Sequence, residues 1–312
     1  MKKNKFFTPD KTSDLILNAL FLLTSLSLLL SNKNMFALHI IAVSLMILVL
    51  VKSYYRGIKS GLMWFGFIIF PWTISMFNDG ALTTNEFSEI LLILGPSITV
   101  GLLAERQRMY VRQLKGTYIS TLKALAEATD ARDSYTHGHS ERVAEYAALI
   151  AKQMLLSEPD LNFLEQAALL HDIGKIAVPD EVLHKKEPLD ENDWLIIRKH
   201  PEYSRRIISK LDFLSPVLPI ILYHHKRFDN KGYPGEQREA VPLASRILAV
   251  ADAFDAMTSD RPYRDKLNRE QALKELERRA GTQFDPVVVE AFVKVMDRDT
   301  EFNDLGMGKS IE

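Results

Sequence analysis

The chain has 312 residues, a formal net charge of -1 and no cysteine. That length admits two domains, and the balanced charge excludes a nucleic-acid polymer as partner, which calls for a large basic excess. Without thiols there are no disulfides, iron–sulfur clusters or thiolate zinc sites, so a metal must rest on nitrogen and oxygen donors, a set that suits iron, manganese, nickel or zinc in an open site.

Four mostly apolar stretches crowd the first third, roughly Leu15 to Leu30, Met35 to Val51, Gly61 to Phe77 and Glu89 to Ala104. Buried helices of an ordinary domain would also read this way, and the flanking charges decide between the two. Lys2, Lys3, Lys5 and Lys11 precede the first stretch, Lys52, Arg56 and Lys59 separate the second from the third, and Arg106, Arg108, Arg112 and Lys115 follow the fourth. The alternate loops carry Lys33 alone or the acidic Asp79, Glu86 and Glu89. The positive-inside rule then gives a four-helix transmembrane region over residues 1–104, with both termini in the cytoplasm and the lipid bilayer as a partner. No small-x-small site follows Leu30, which argues against a cleaved leader. The expected location is therefore the cytoplasmic (inner) membrane, multi-pass, with the C-terminal domain on the cytoplasmic side.

Residues 105–124 read as a connecting helix, free of proline and with Gly116 its one glycine. Val111, Leu114, Tyr118, Thr121, Leu125 and Ala128 step by three and four, which fits a homodimer seam and equally fits core packing of the next domain's first helix. Residues 125–312 form the last domain, and its patterns are all helical. Helices are expected near Ser140 to Leu156, Leu161 to Asp172, Glu191 to Lys199, Pro201 to Leu211, Val217 to His225, Leu243 to Met257, Arg269 to Ala280 and Pro286 to Met296, with Asp190 and Asp285 as caps. The fold class is all-α.

Within 114 residues of this part stand His139, His171, Asp172, His200, His224, His225 and Asp252. Adjacent helical residues differ by about 100° in direction, so His171-Asp172 and His224-His225 can each serve two metals, with Asp172 able to bridge. Two metals about 3.5–4 Å apart give the two-metal hydrolysis pattern, in which a water is activated and a phosphate's charge neutralised. A His-Asp dipeptide alone is weak; the extended set is stronger. Lys175 lies one turn beyond His171-Asp172, Gly232-Tyr233-Pro234 follows the His pair, and Arg261 and Arg264 follow Asp252, supplying cations suited to phosphate.

HDIGK at 171–175, HHKRFDNKGYPG at 224–235, DAFDAMTSDRPYR at 252–264 and YTHGHSERV at 135–143 resemble the signatures of the HD-GYP phosphodiesterases, over about Leu125 to Met296. The resemblance implies a helical HD-type metal-dependent phosphohydrolase domain that hydrolyses cyclic di-GMP to the linear dinucleotide and, in some members, GMP. It makes His139, His171, Asp172, His200, His224, His225 and Asp252 the metal ligands, with iron or manganese most often bound. Asp172 and Lys175 are then catalytic. Lys175, Arg261 and Arg264 would hold phosphate, and Gly232, Tyr233 and Pro234 would shape the loop beside the substrate, with a second role in docking a signalling protein. Tyr135 stands where three-metal members carry glutamate, so two divalent ions are expected. Lys226 replaces a usual glutamate and reverses a charge near the site, while Asn230 replaces a usual glycine. The rival readings are a phosphodiesterase for another cyclic dinucleotide or a nucleotide, and a receptor that binds the messenger without useful catalysis.

Overall fold

The computed structural model describes residues 18–19, 35–57, 59–63, 65–66, 84–133, 137–235, 240–260 and 265–304. The chain divides into two compact units, Met1–Thr117 and Tyr118–Glu312. Among the described residues there are helices and two isolated bridges, Lys226 with Gly232 and Ala280 with Phe284.

In the first unit lie α1 (Met35–Arg56) and the start of α2 (Thr84–Arg132), which runs for 49 residues. The expected four-span membrane region is corrected here: among the described residues, no helix is long and apolar enough to cross a membrane. The multi-pass placement in the inner membrane and the bilayer as a partner, which rested on those spans, are corrected with it. The physical reason is length and interruption. Met35 to Val51 rises only about 25 Å as a helix, against a hydrocarbon core of about 30 Å. It leads straight into Lys52, which is buried and donates from Nζ to Asn18 Oδ1 at 2.7 Å. In α2 the stretch from Glu89 to Ala104 contains Pro96 and buried Ser97, then passes without a break into charged residues. Flanking charge and hydropathy do not distinguish such helices from spans. Of the first and third stretches, all but residues 18–19, 61–63 and 65–66 lie outside the described residues.

The second unit begins within α2. Tyr118, Leu122 and Ala126, four residues apart, turn inward: Leu122 and Ala126 are buried, and Tyr118 packs edge-on against Phe213 and donates to Gln166 Oε1 at 3.0 Å. Of the stripe expected as a dimer seam, Tyr118 thus belongs to this core, while Val111, Leu114 and Leu125 are exposed. The helices that follow are α3 (His139–Gln153), α4 (Glu158–Leu170), α5 (Asp180–Leu183), α6 (Glu191–Ile197), α7 (His200–Ile208), α8 (Leu218–Leu222), α9 (Leu243–Thr258), α10 (Arg269–Arg278) and α11 (Pro286–Asp304). The core lies where α3 packs on α4, α9 and α11, and it is filled by side chains such as Val143, Ile150, Leu164, Leu248, Phe254 and Phe292.

Side-chain caps set several boundaries, two of them, at Asp190 and Asp285, as expected from the sequence. Asp190 and Asp193 form a reciprocal capping box at α6, Asn268 and Gln271 form another at α10, and Asp285 accepts from Val287 N at 2.9 Å at the start of α11. His200-Pro201 departs from expectation: instead of ending a helix, His200 begins α7, because proline is tolerated in a first turn, where its missing N–H is no loss.

One glycine fixes how closely two site elements approach. Gly174, in the 3-10 turn Ile173–Ala177, has no room for a side chain: an added Cβ would lie 2.0 Å from His200 O and 2.5 Å from Ser204 N. Gly174 N donates to Ser204 Oγ at 2.8 Å, and that hydroxyl donates to His171 O at 3.0 Å, tying the His-Asp turn to α7. Gly174→Ala is expected to destabilise the fold by about 3 kcal/mol, since backbone atoms must move to relieve the clash. Urea unfolding of the two proteins measures this, and an unchanged midpoint would contradict the close packing.

Candidate metal centre

Three of the histidines are aimed by the same device. His171, His200 and His224 each follow a helix or turn whose last carbonyls lack helical partners. Each Nδ1 lies against the carbonyl three residues back: Ala168 O at 2.7 Å, Ile197 O at 2.9 Å and Ile221 O at 2.6 Å. A carbonyl only accepts, so Nδ1 carries the proton and Nε2 presents its lone pair. All three Nε2 atoms are buried and have no hydrogen-bond partner among the described residues. Buried acceptors left unsatisfied are costly, and a cation satisfies them.

The fourth histidine is held differently. His139 opens α3, and its Nδ1 donates to Asp255 Oδ2 at 2.7 Å. Arg142 grips the same carboxylate through Nε at 2.6 Å and Nη2 at 3.0 Å. His139 Nε2 then faces Asp252 Oδ1 at 3.4 Å and Asp172 Oδ2 at 4.0 Å. The two oxygens of Asp172 point to different neighbours, Oδ2 lying 3.5 Å from His171 Nε2 and Oδ1 3.3 Å from His200 Nε2. His225 completes the group, its ring centroid 3.9 Å from that of His224 and 5.1 Å from that of His200.

The seven residues singled out in the sequence as ligands therefore meet in one place. They form three overlapping sets whose donor atoms lie within 4.8 Å of one another: His139, His171 and Asp172; His171, His224 and Asp252; and His200, His224 and His225. His171 and His224 each belong to two sets. His225 and Asp252 are less buried than the others, which puts the open side of the centre at their edge.

The electrostatics suit a cation. Burial is the main reason the imidazoles of His200 and His224 are harder to protonate than usual, and it takes His225 down to about 3. Neutral imidazole is the ligand form. Burial opposes charge on His139 too, but the carboxylates of Asp252 and Asp255 outweigh it and raise this group to about 10. Asp172 and Asp252 stay ionised against the cost of burial, Asp172 chiefly because of Lys175 and Asp252 chiefly because of its hydrogen bond with His139.

Lys175 does not face open solvent. Its ammonium lies between Asp172 Oδ2 at 2.7 Å and Asp133 Oδ2 at 2.9 Å. Lys226, the charge reversal, is buried and spends its ammonium on the carbonyls of Pro234 and Gly235, so it ties down the Gly-Tyr-Pro loop. Gly232 is required there: φ is +83°, and a Cβ would lie 2.4 Å from His225 O. Asn230 takes the left-handed backbone at φ 64°. The loop lays the Tyr233 ring 4.7 Å from that of His225, with Pro234 after a cis peptide bond and the Arg198 guanidinium over the Tyr233 ring at 6.0 Å. Arg261 and Arg264 lie outside the described residues.

Sequence reasoning passed over Arg142, Arg198, Asp130, Asp133 and Ser204. Arg142 had a signal, standing one turn after His139 as Asp255 stands one turn after Asp252. The other four also stand near ligands in the chain, Asp130 and Asp133 nine and six residues before His139, Arg198 two before His200 and Ser204 four after it, but the groups they touch, Ser140, Lys175, Tyr233 and Gly174, are set by the fold.

A helical scaffold that brings histidines and aspartates together in groups able to hold a metal ion defines the class: an all-α domain with a candidate metal centre. Residues 123–288 match the HD domain family, and the chain belongs to it. It is 42% identical over 177 residues to the cyclic di-GMP phosphodiesterase response regulator RpfG of Xanthomonas campestris pv. campestris, covering 56% of this chain and 47% of that protein. It is 39% identical over 175 residues to 3'3'-cGAMP-specific phosphodiesterase 3 of Vibrio cholerae, covering 56% and 38%. A cyclic di-GMP phosphodiesterase of Thermotoga maritima is 37% identical over 205 residues, covering 64% and 55%. The chain thus spans about half or less of the length of these relatives.

Proposed function

We propose that this chain is a metal-dependent cyclic dinucleotide phosphodiesterase of the HD-GYP group, with cyclic di-GMP as substrate. The observation that carries this is the trio of buried, unpartnered Nε2 atoms facing two ionised carboxylates. His139, His171, Asp172, His200, His224, His225 and Asp252 would hold two divalent ions, iron or manganese. Such ions supply Lewis acidity and neutralise phosphate charge in phosphodiester hydrolysis.

The chain's own residues do the rest. The i−3 carbonyls and Asp255 fix the ring orientations, so the donor set is organised before a ligand arrives. Asp172 offers one oxygen to each side of the cluster, and Lys175 keeps it ionised and aimed. Tyr233, set beside His225 and Arg198 in a loop anchored by Lys226, walls the open edge of the centre beside the substrate. Arg261 and Arg264 are assigned to phosphate by resemblance. Water adds to phosphorus, the bond to the 3′ oxygen breaks, that oxygen takes up a proton, and the linear dinucleotide leaves.

A second substrate has a specific observation in its favour, since a relative specific for 3'3'-cGAMP matches almost as well as one named for cyclic di-GMP. Mn2+-loaded protein offered the two dinucleotides separately is expected to turn over cyclic di-GMP with the higher kcat/KM. The reverse order would move the assignment to cyclic GMP-AMP, and binding of either without product would make the chain a receptor.

A further inference from the structure

The last turn of α2 stands outside the ligand set, yet it touches both ends of it. Gly138, the residue before α3, provides no side-chain cap. The cap comes instead from α2: Asp130 Oδ2 accepts from Ser140 N at 3.1 Å and Oδ1 from Ser140 Oγ at 2.8 Å, fixing the turn that carries His139. Three residues on, Asp133 Oδ2 accepts from Lys175 Nζ at 2.9 Å, and the same ammonium holds Asp172 Oδ2 at 2.7 Å. Between them Arg132 donates to the carbonyls of Ile176 and Val178 and pairs with Asp180, and its own carbonyl accepts from His184 Nε2.

We propose that Asp130 and Asp133 are positioning residues of the metal centre: one helix end grips His139 through Ser140 and Asp172 through Lys175. Asp130 and Asp133 are buried or nearly so, where such contacts are weakly screened and geometrically strict. His139 and Asp172 belong to one ligand set, so they must keep their spacing for a cation to be held. Both grips lie within four residues at the end of α2, Asp130 in its last turn and Asp133 directly after its last residue, Arg132. Lys175, in this arrangement, passes the position of Asp133 to Asp172.

The inference rests on the metal reading above, and the test separates the two. Mn2+ affinity is measured by calorimetry on chelator-stripped full-length protein for the wild type, Asp133→Asn, Lys175→Gln, the double variant and Asp130→Asn. Metal-free melting temperatures are read alongside. Asp133→Asn is expected to weaken Mn2+ binding about tenfold or more, and to change it little in the Lys175→Gln background, because the route through the ammonium is already cut. Asp130→Asn is expected to weaken it as well. Wild-type affinity in a folded Asp133→Asn protein, or an equal loss with and without Lys175, overturns the inference. Should one variant misfold, the inference stands or falls on the other. A wild type that takes up no Mn2+ refutes the metal reading itself and the inference with it.

Discussion

Asp172→Ala is expected to lower dinucleotide turnover by more than about a hundredfold, an effect of the size seen when a preorganised electrostatic group is removed. Among the described residues, Asp172 alone has its two oxygens against different histidines, so its loss affects both sides of the donor cluster. The substitution also leaves Lys175 paired with Asp133 at 2.9 Å, its positive charge now beside imidazoles that a cation must approach. Breaking a buried pair in this way costs about 3 kcal/mol. Metal content should therefore fall with activity, and the melting temperature of the variant should no longer respond to Mn2+. Turnover is measured at saturating Mn2+ with the product resolved by chromatography. If the variant carries a full complement of metal and hydrolyses at the wild-type rate, Asp172 is not part of the reacting centre.

Acidification is expected to unfold the metal-free protein more readily, with a definite sign and window. Unfolded histidines titrate near 6.5. In the native state His225 is held down to about 3, and burial also lowers His200 and His224. Below pH 6.5 the unfolded chain takes up protons that the native chain refuses, so each of these groups removes about 1.4 kcal/mol per pH unit until its native value is reached. Above 6.5 the three contribute no slope. His139 works in the opposite sense: raised to about 10, it adds stability that is fully present below 6.5 and is lost as pH rises through about 10. Protons also compete with a cation for the imidazoles, so Mn2+ affinity should fall over the same acidic interval. Melting temperatures from pH 8 to pH 5, with chelator and with Mn2+, read both effects. A flat metal-free profile between pH 6.5 and 5 would contradict the buried, neutral imidazoles.

Much of the second unit was legible in the chain. Apolar residues at helical spacing marked α3, α4, α9 and α10 to within a few residues, because a helix that must bury one face repeats that demand every turn. The seven ligand candidates were legible for a related reason: His171-Asp172 and His224-His225 are paired in sequence, and an imidazole or carboxylate has few other uses at a buried helix end. The first third was misread. Apolar runs of 16 or 17 residues with charged flanks satisfy both a thin membrane span and a packed helix, and only helix length and interruption separate them. The role of Lys226 was also illegible, since a charge reversal beside a metal pair looks electrostatic until the ammonium is found on two loop carbonyls.

By itself the sequence determined the helical class, the donor chemistry open to a chain without thiols, and the residues able to hold a cation, all properties carried by residue type and short-range period. Tertiary structure alone decided what holds those donors from outside their own helix ends: Asp255 and Arg142 behind His139, and Asp130 and Asp133 reaching in from the end of α2. The physical reason is that orientation depends on contacts between segments from about ten to more than a hundred residues apart. Hydrogen bonds over that range leave no periodic trace in the chain, because each requires only that two groups meet once in the folded molecule.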